Sequence, residues 1–296
     1  EDPALVKLPF IIFGIASVYL IYAIGKAWFN PTSGILAGAY LASLQFFILY
    51  SQTARPYASG LFFGLLMVWC FTRWILKPYG NQKWNIAGYV IAASLCNYNH
   101  MFSMLFAFMV GMSGFFFISK SQIKTYLGAN LAVILLYLPH TGVFLHQMSK
   151  GGISTWLGKP SPDFLLDFLY YVLHYSGWVT GLFLFVILLG FFFRQTSVKT
   201  KLVWLSLCWF AIPYGIAHIY SLQVNSVLMP RTLVFSTPFI FLPAFAFIKE
   251  LKPALNLVVV CLILMVNSAT LIYERHHYTL FYEEPDLEIL NEYEKI

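Results

Sequence analysis

Long apolar runs, divided by short polar breaks, occupy most of the chain. Ten stand out, at 8–25, 34–50, 57–76, 84–96, 101–118, 126–146, 178–193, 202–220, 232–248 and 255–272. Runs of roughly 18 residues match the hydrocarbon thickness of a bilayer. The pattern predicts an all-α fold, a polytopic transmembrane helical bundle of about ten spans. The runs are continuous rather than alternating, which excludes the strands of a membrane barrel.

One connecting segment, 147–177, is long and changes the pattern. Gly151-Gly152 and Lys159-Pro160-Ser161-Pro162 read as loop, with Ser161 as N-cap and Pro162 at the first position of a helix over 163–174. Phe164, Leu165, Phe168, Leu169 and Val172 give that helix an apolar face, and Asp163, Asp167, Tyr170 and His174 recur at spacings of three to four along the other. Such a helix lies in the outer interface instead of crossing. Asp163, Asp167 and His174 are its candidate contacts for an acceptor or a divalent metal; a solvated face explains the same spacing.

Composition agrees with the pattern. Hydrophobic residues make up 59% of the 296, charged residues 10%, and the mean hydropathy is +0.73, so a soluble domain is excluded. With the N-terminus placed outside, the inner side holds 11 of the 18 Lys and Arg, and every inner loop carries at least one. The net charge of +6 is then inner-loop anchoring and gives no reason to invoke nucleic acid. Cys70, Cys96, Cys208 and Cys261 all fall inside apolar runs without metal-ligand spacing and read as packing residues. The chain opens Glu1-Asp2-Pro3 immediately ahead of a span, with neither an initiator methionine nor a cleavable signal. An outer N-terminus so close to a span leads us to expect an earlier helix and outer loop.

That frame leaves two outer arginines to explain. In Tyr50-Ser51-Gln52-Thr53-Ala54-Arg55-Pro56-Tyr57-Ala58 a cation sits between two apolar runs with almost no loop around it. A cation there is costly unless an anion offsets it. Pro56 suits the first position of the following helix, whose free N–H groups would face the same anion. Asn225-Ser226-Val227-Leu228-Met229-Pro230-Arg231 repeats the pairing of proline and base, and two guanidiniums could share one phosphate bidentately. Snorkelling to headgroups accounts for either arginine alone. Asn97-Tyr98-Asn99-His100 breaks an apolar stretch on the same side; His100 would bind a phosphate oxygen or shuttle a proton, or the group is a polar turn. Glu274-Arg275-His276-His277 reads as a solvated juxtamembrane tail, the start of an outer segment over 273–296. No carboxylate falls within the apolar runs, which argues against a proton-coupled transporter.

These motifs carry a resemblance. Residues 50–58 resemble the Ser-Gln-x-Ala-Arg-Pro-Tyr-Ala signature of polytopic glycosyltransferases of the type C fold, in the bacterial protein O-mannosyltransferase and aminoarabinose-transferase branch. Tyr98-Asn99-His100-Met101-Phe102 is similar to that branch's Tyr-Thr-His-Tyr element, with Asn for Thr and Met for Tyr. Pro230-Arg231-Thr232-Leu233 is similar to its Pro-Arg-Tyr-Leu element, with Thr for Tyr. Ala4 to Phe10, then Gly14, resemble the start of an early helix. The likeness covers most of residues 4–248, and only the Arg-Pro-Tyr motif in it is specific.

What the resemblance implies is a transferase domain over 1–272 in the bacterial inner (plasma) membrane. It would move a sugar from a polyprenyl-phosphate donor to a lipid, glycan or protein acceptor on the extracytoplasmic face. Arg55 and Tyr57, with Gln52, Arg231 and His100, would hold the lipid phosphate. The family's acid lies in a first outer loop that this chain does not show, so no catalytic residue is assigned and any divalent metal stays open. A lipid-linked sugar transporter or an inactive scaffold would share the same spans.

Overall fold

The computed structural model describes residues 3–149 and 157–282. The elements are α1 (Pro3–Trp28), α2 (Pro31–Ser43), α3 (Gln45–Ser51), α4 (Pro56–Phe71), α5 (Gln82–Asn99), α6 (Met101–Ser113), α7 (Ile123–Tyr137), α8 (Thr141–Ser149), α9 (Phe164–Val172), α10 (Gly177–Phe192), α11 (Thr200–Gln223), α12 (Pro238–Phe245), α13 (Pro253–Tyr273) and α14 (His277–Tyr282). Among the described residues there is no strand, only an isolated bridge between Arg194 and Ile248. The protein is an all-α integral membrane bundle.

Spanning helices are fewer than apolar runs. Among the described residues, five helices are long and apolar enough to cross a bilayer, and seven if the bent pairs α2–α3 (64°) and α9–α10 (90°) each count as one span. Each missing span has a local cause. The fourth run lies in α5, which has the length, 18 residues, but is diluted by Gln82, Asn85, Asn97 and Asn99. The fifth run gives only the 13 residues of α6 before the helix tightens into a 3₁₀ turn at Gly114–Phe116. The ninth run, 232–248, is interrupted by Pro238 and Pro243 and yields only the eight-residue α12. Leu233, Val234, Phe239, Leu242, Phe245 and Ile248 in it are fully buried, so it is the apolar interior of the bundle and not a lipid-facing helix.

Close backbone approach and aromatic packing hold the bundle together. α1 and α2 meet at glycines: a Cβ on Gly34 would lie 2.3 Å from the Tyr22 carbonyl oxygen. Asn30 caps α2 by accepting the Ser33 N–H at 2.9 Å, with Pro31 following at N1. The same Asn30 amide donates to the Ile248 carbonyl (2.7 Å) and to Gln195, tying three loops at the end opposite Arg55. Toward the middle, Trp209 packs against Trp28 (5.6 Å) and Phe239 (5.2 Å), and Phe106 stacks on Phe239 (5.2 Å). The Trp28 indole N–H donates to Thr72 Oγ1 at 2.9 Å, which leaves no orphaned donor there.

The long segment 147–177 holds a helix, shorter at both ends than the expected 163–174. α9 begins at Phe164 with Asp163 at the N-cap and no side-chain capping bond, so Ser161 and Pro162 lie outside it. Its 90° bend against α10 fits a helix lying across the bundle end. Gly151-Gly152 lies outside the described residues.

Candidate functional site

The corner between α3 and α4 is closed by its own backbone. Thr53 Oγ1 donates to the Leu49 carbonyl (2.7 Å), and the Gln52 N–H is shared between the Ile48 and Leu49 carbonyls. Arg55, forced extended by the following proline (φ −134°, ψ 158°), is the N-cap of α4, and Pro56 takes N1 as its ring prefers. The expected bank of free N–H groups is not there. Arg55 N–H donates to Thr53 O and Tyr57 N–H to Arg55 O, both at 2.7 Å, and Pro56 has none. At most the Ala58 N–H is left, so an anion here would depend on side chains.

Beside the corner lies an aromatic cluster. The Tyr57 ring lies 4.9 Å from Tyr50 and 5.9 Å from His100, and His100 lies 5.4 Å from Phe235. Arg231 sits close enough for its charge to act on both Tyr50 and His100. Arg55 is exposed, two positions before Tyr57, and Arg231 is half-buried. The described residues contain only four carboxylates, Asp163, Asp167, Glu250 and Glu274, and Arg55 has no carboxylate partner among them.

His100 is both the C-cap of α5 and the N-cap of α6. Its Nδ1 accepts the Phe102 N–H at 3.0 Å, so the neutral ring carries its proton on Nε2. Burial, reinforced by the Arg231 charge, pushes its pKa down to about 4. His100 is therefore equipped to donate a hydrogen bond and poorly equipped to accept a proton. Beside it, Asn99 donates to the Pro56 carbonyl (2.5 Å) and accepts from the Ser59 hydroxyl (2.6 Å), locking the start of α4 onto α5. Gly60 makes room for this: a Cβ there would lie 2.4 Å from Asn99 Nδ2 and 2.5 Å from the Phe235 ring.

Sequence resemblance and geometry now meet. Residues 3–142, just under half of the chain, match the family model described as dolichyl-phosphate-mannose-protein mannosyltransferase. Over that stretch the chain is similar to this family. It takes in Gln52, Arg55, Tyr57, Asn99 and His100, and stops short of Arg231. The mannosyltransferase family implies a membrane glycosyltransferase in general, with a lipid-linked sugar donor and an acceptor. No curated protein and no solved structure matches the chain.

Gln52, named from the mannosyltransferase motif, is tied to the far end of the chain. Arg275 Nε donates to Gln45 Oε1 (2.6 Å), which leaves the Gln45 amide to donate to His277 Nδ1 (3.2 Å). His277 Nε2–H then donates to Gln52 Oε1 at 3.2 Å. Glu274 and His276 are exposed, as a solvated tail would have them, but Arg275 is half-buried and His277 fully buried, so these two fold back beneath the corner. Residues beyond Tyr282 lie outside the described set.

The acidic face of α9 does not join the site. Asp163, Asp167 and Tyr170 are exposed, while the opposite face packs Phe168 and Tyr171 on Phe46 at 5.7 and 5.8 Å. His174 leaves that face, because the helix ends at Val172 and His174 takes a left-handed conformation (φ 65°). Its ring is buried, with Nε2 accepting the Gln45 N–H (2.7 Å) and Nδ1 bonded to Thr270 Oγ1 (2.8 Å). Both ring nitrogens are thus engaged within the protein, bridging Gln45 and Thr270. Among the described residues no group of three or more His, Cys, Asp or Glu could hold a metal ion. The free cysteines stay unpaired: Cys70 and Cys96 are buried, Cys208 and Cys261 exposed.

Proposed function

We propose that this chain transfers a sugar from a polyprenyl-phosphate donor to an acceptor on the extracytoplasmic face, and that the Arg55 corner holds the donor phosphate. The observation that carries this is an exposed guanidinium at a membrane-bounded helix start without a described carboxylate partner, next to a cluster that Arg231 also reaches. A phosphate would offset both charges, and planar guanidinium forks suit its oxygens. An apolar cavity of about 170 Å³ begins at Tyr50 and Ser51 and runs between α1, α2 and α4 to Val234, a place for the first isoprene units.

In the transfer, the acceptor's nucleophilic atom bonds to the sugar's anomeric carbon as the bond from that carbon to the phosphate oxygen breaks, and the lipid phosphate leaves with added charge. Arg55 and Arg231 stabilise that charge as it develops. His100 Nε2–H adds a neutral donor, and Tyr57 walls the site. The group that takes the acceptor's proton is not among the residues at this corner. Arg55→Lys tests the proposal because it keeps the charge and loses the fork. In a transfer assay with polyprenyl-phosphate mannose we expect kcat/KM to fall roughly tenfold to a hundredfold, about 1.4–2.8 kcal/mol. Unchanged transfer would return Arg55 to the role of a headgroup anchor.

A further inference from the structure

His100 lines a second cavity, of different chemistry from the arginine corner. This one measures about 160 Å³ and is lined by Asn97, Tyr98, Tyr137, His140 and Gln147 as well as His100. Tyr98, Tyr137 and His140 form a ring trio at 5.1–5.7 Å, and the Tyr98 hydroxyl is fixed on the Leu136 carbonyl (2.7 Å). Asn97 and Met104 line this cavity and also a far larger one, about 650 Å³, between α4, α5, α6 and α7.

The large cavity is apolar in effect. Tyr89 and Asn130 both line it, but the Tyr89 hydroxyl donates to Asn130 Oδ1 and Asn130 Nδ2 to the Tyr126 carbonyl, each at 2.9 Å. Phe108, Leu127, Leu131 and Ile134 on its wall are exposed, so it opens sideways toward the bilayer. No Lys, Arg, Asp or Glu lines either cavity among the described residues.

We infer that the two cavities together bind one amphiphile, a neutral lipid with an uncharged, hydroxyl-bearing head such as a glycolipid. The head fits among amide groups and aromatic faces, and the chain fits the groove, whose size falls in the usual range for small-ligand sites. Charge separates this site from the first: a phosphate head gains from two arginines at the Arg55 corner and from none here. His100 belongs to both, which puts the head beside the donor site. Naming the amphiphile as the acceptor rests on the transferase reading, whereas its binding does not.

The test uses purified wild-type protein in detergent and a monoglucosyl-diacylglycerol with a diazirine on one acyl chain. Crosslinks mapped by mass spectrometry are expected at the groove-lining Met67, Tyr89 and Ala93 and within residues 97–134. Gly128 lines the groove and a Cβ there meets nothing within 4 Å, so Gly128→Trp fills the space without a first clash. It is expected to cut labelling about tenfold, while Arg55→Ala leaves labelling unchanged. Unlabelled glycolipid should compete on the wild type, which keeps the test independent of how the tryptophan variant folds. Equal labelling by phosphatidylglycerol, or by a triacylglycerol with the same chain and no head hydroxyl, would overturn the inference, as would crosslinks away from the two cavities. A failed transferase reading would show separately, as polyprenyl-phosphate binding that Arg55→Ala does not weaken.

Discussion

Arg55, His100 and Gly60 each make a different demand on the corner. Arg55 brings charge, and its neighbours Thr53 and Pro56 settle its backbone so that the guanidinium stays exposed. His100 brings a neutral donor whose titration is displaced. Its folded pKa, near 4, lies below the ordinary histidine value of 6.5, so between these the unfolded chain binds more protons than the folded one. Buried His277 is shifted in the same direction. The contribution is complete above pH about 6.5 and is lost as pH falls toward 4. Thermal unfolding in detergent should therefore show a midpoint that drops from pH 7 to pH 5, with a flatter profile in His100→Asn. Gly60 makes room: Gly60→Val should displace Asn99 and Phe235, costing about 1–3 kcal/mol and weakening donor binding with it. A denaturation midpoint and a donor titration on the same preparation check both effects.

At the scale of elements, the helix starts and the break between 50 and 57 were legible because their causes are local. A proline at N1, a polar gap and an apolar run on each side suffice to mark α4. What escaped the sequence depends on partners far away in the chain. The α2–α3 break at Leu44 orphans the Gln45 N–H, which His174 satisfies from 129 residues away. Spacing alone placed His174 on a helix face, and a left-handed residue two positions past the helix end removed it. Arg275 and His277 misled for the same reason: polar residues after a span look solvated unless Gln45 and Gln52 are known to await them. Arg275→Ala should leave Gln45 Oε1 without its donor and loosen the relay to Gln52. We expect a loss of about 1–2 kcal/mol in stability together with weaker donor binding. A stability loss that leaves donor affinity at the wild-type level would separate the relay from the site.

Across the whole molecule, the apolar runs set the class, and they outnumber the described helices that are long and apolar enough to cross. Runs such as 232–248 are apolar because they fill the interior around Trp209 and Phe106, and a bundle of this size needs interior residues as apolar as its lipid-facing ones. The buried, proline-broken run also carries Arg231 from its start to the cluster around His100, so the packing of the core and the placement of the second arginine are one event. Had α12 been a regular lipid-facing span, Phe235 would not have been available to pack on His100.

The central claim is that Arg55 and Arg231 grip one phosphate. The measurement that tests it most directly is the affinity of purified protein for undecaprenyl-phosphate mannose in wild type, Arg55→Ala, Arg231→Ala and the double variant. Two arginines on one phosphate should each cost about tenfold or more, with a double-variant loss that departs from the sum by at least about 0.5 kcal/mol. Wild-type affinity in either single variant, or losses that simply add, would contradict a shared phosphate site.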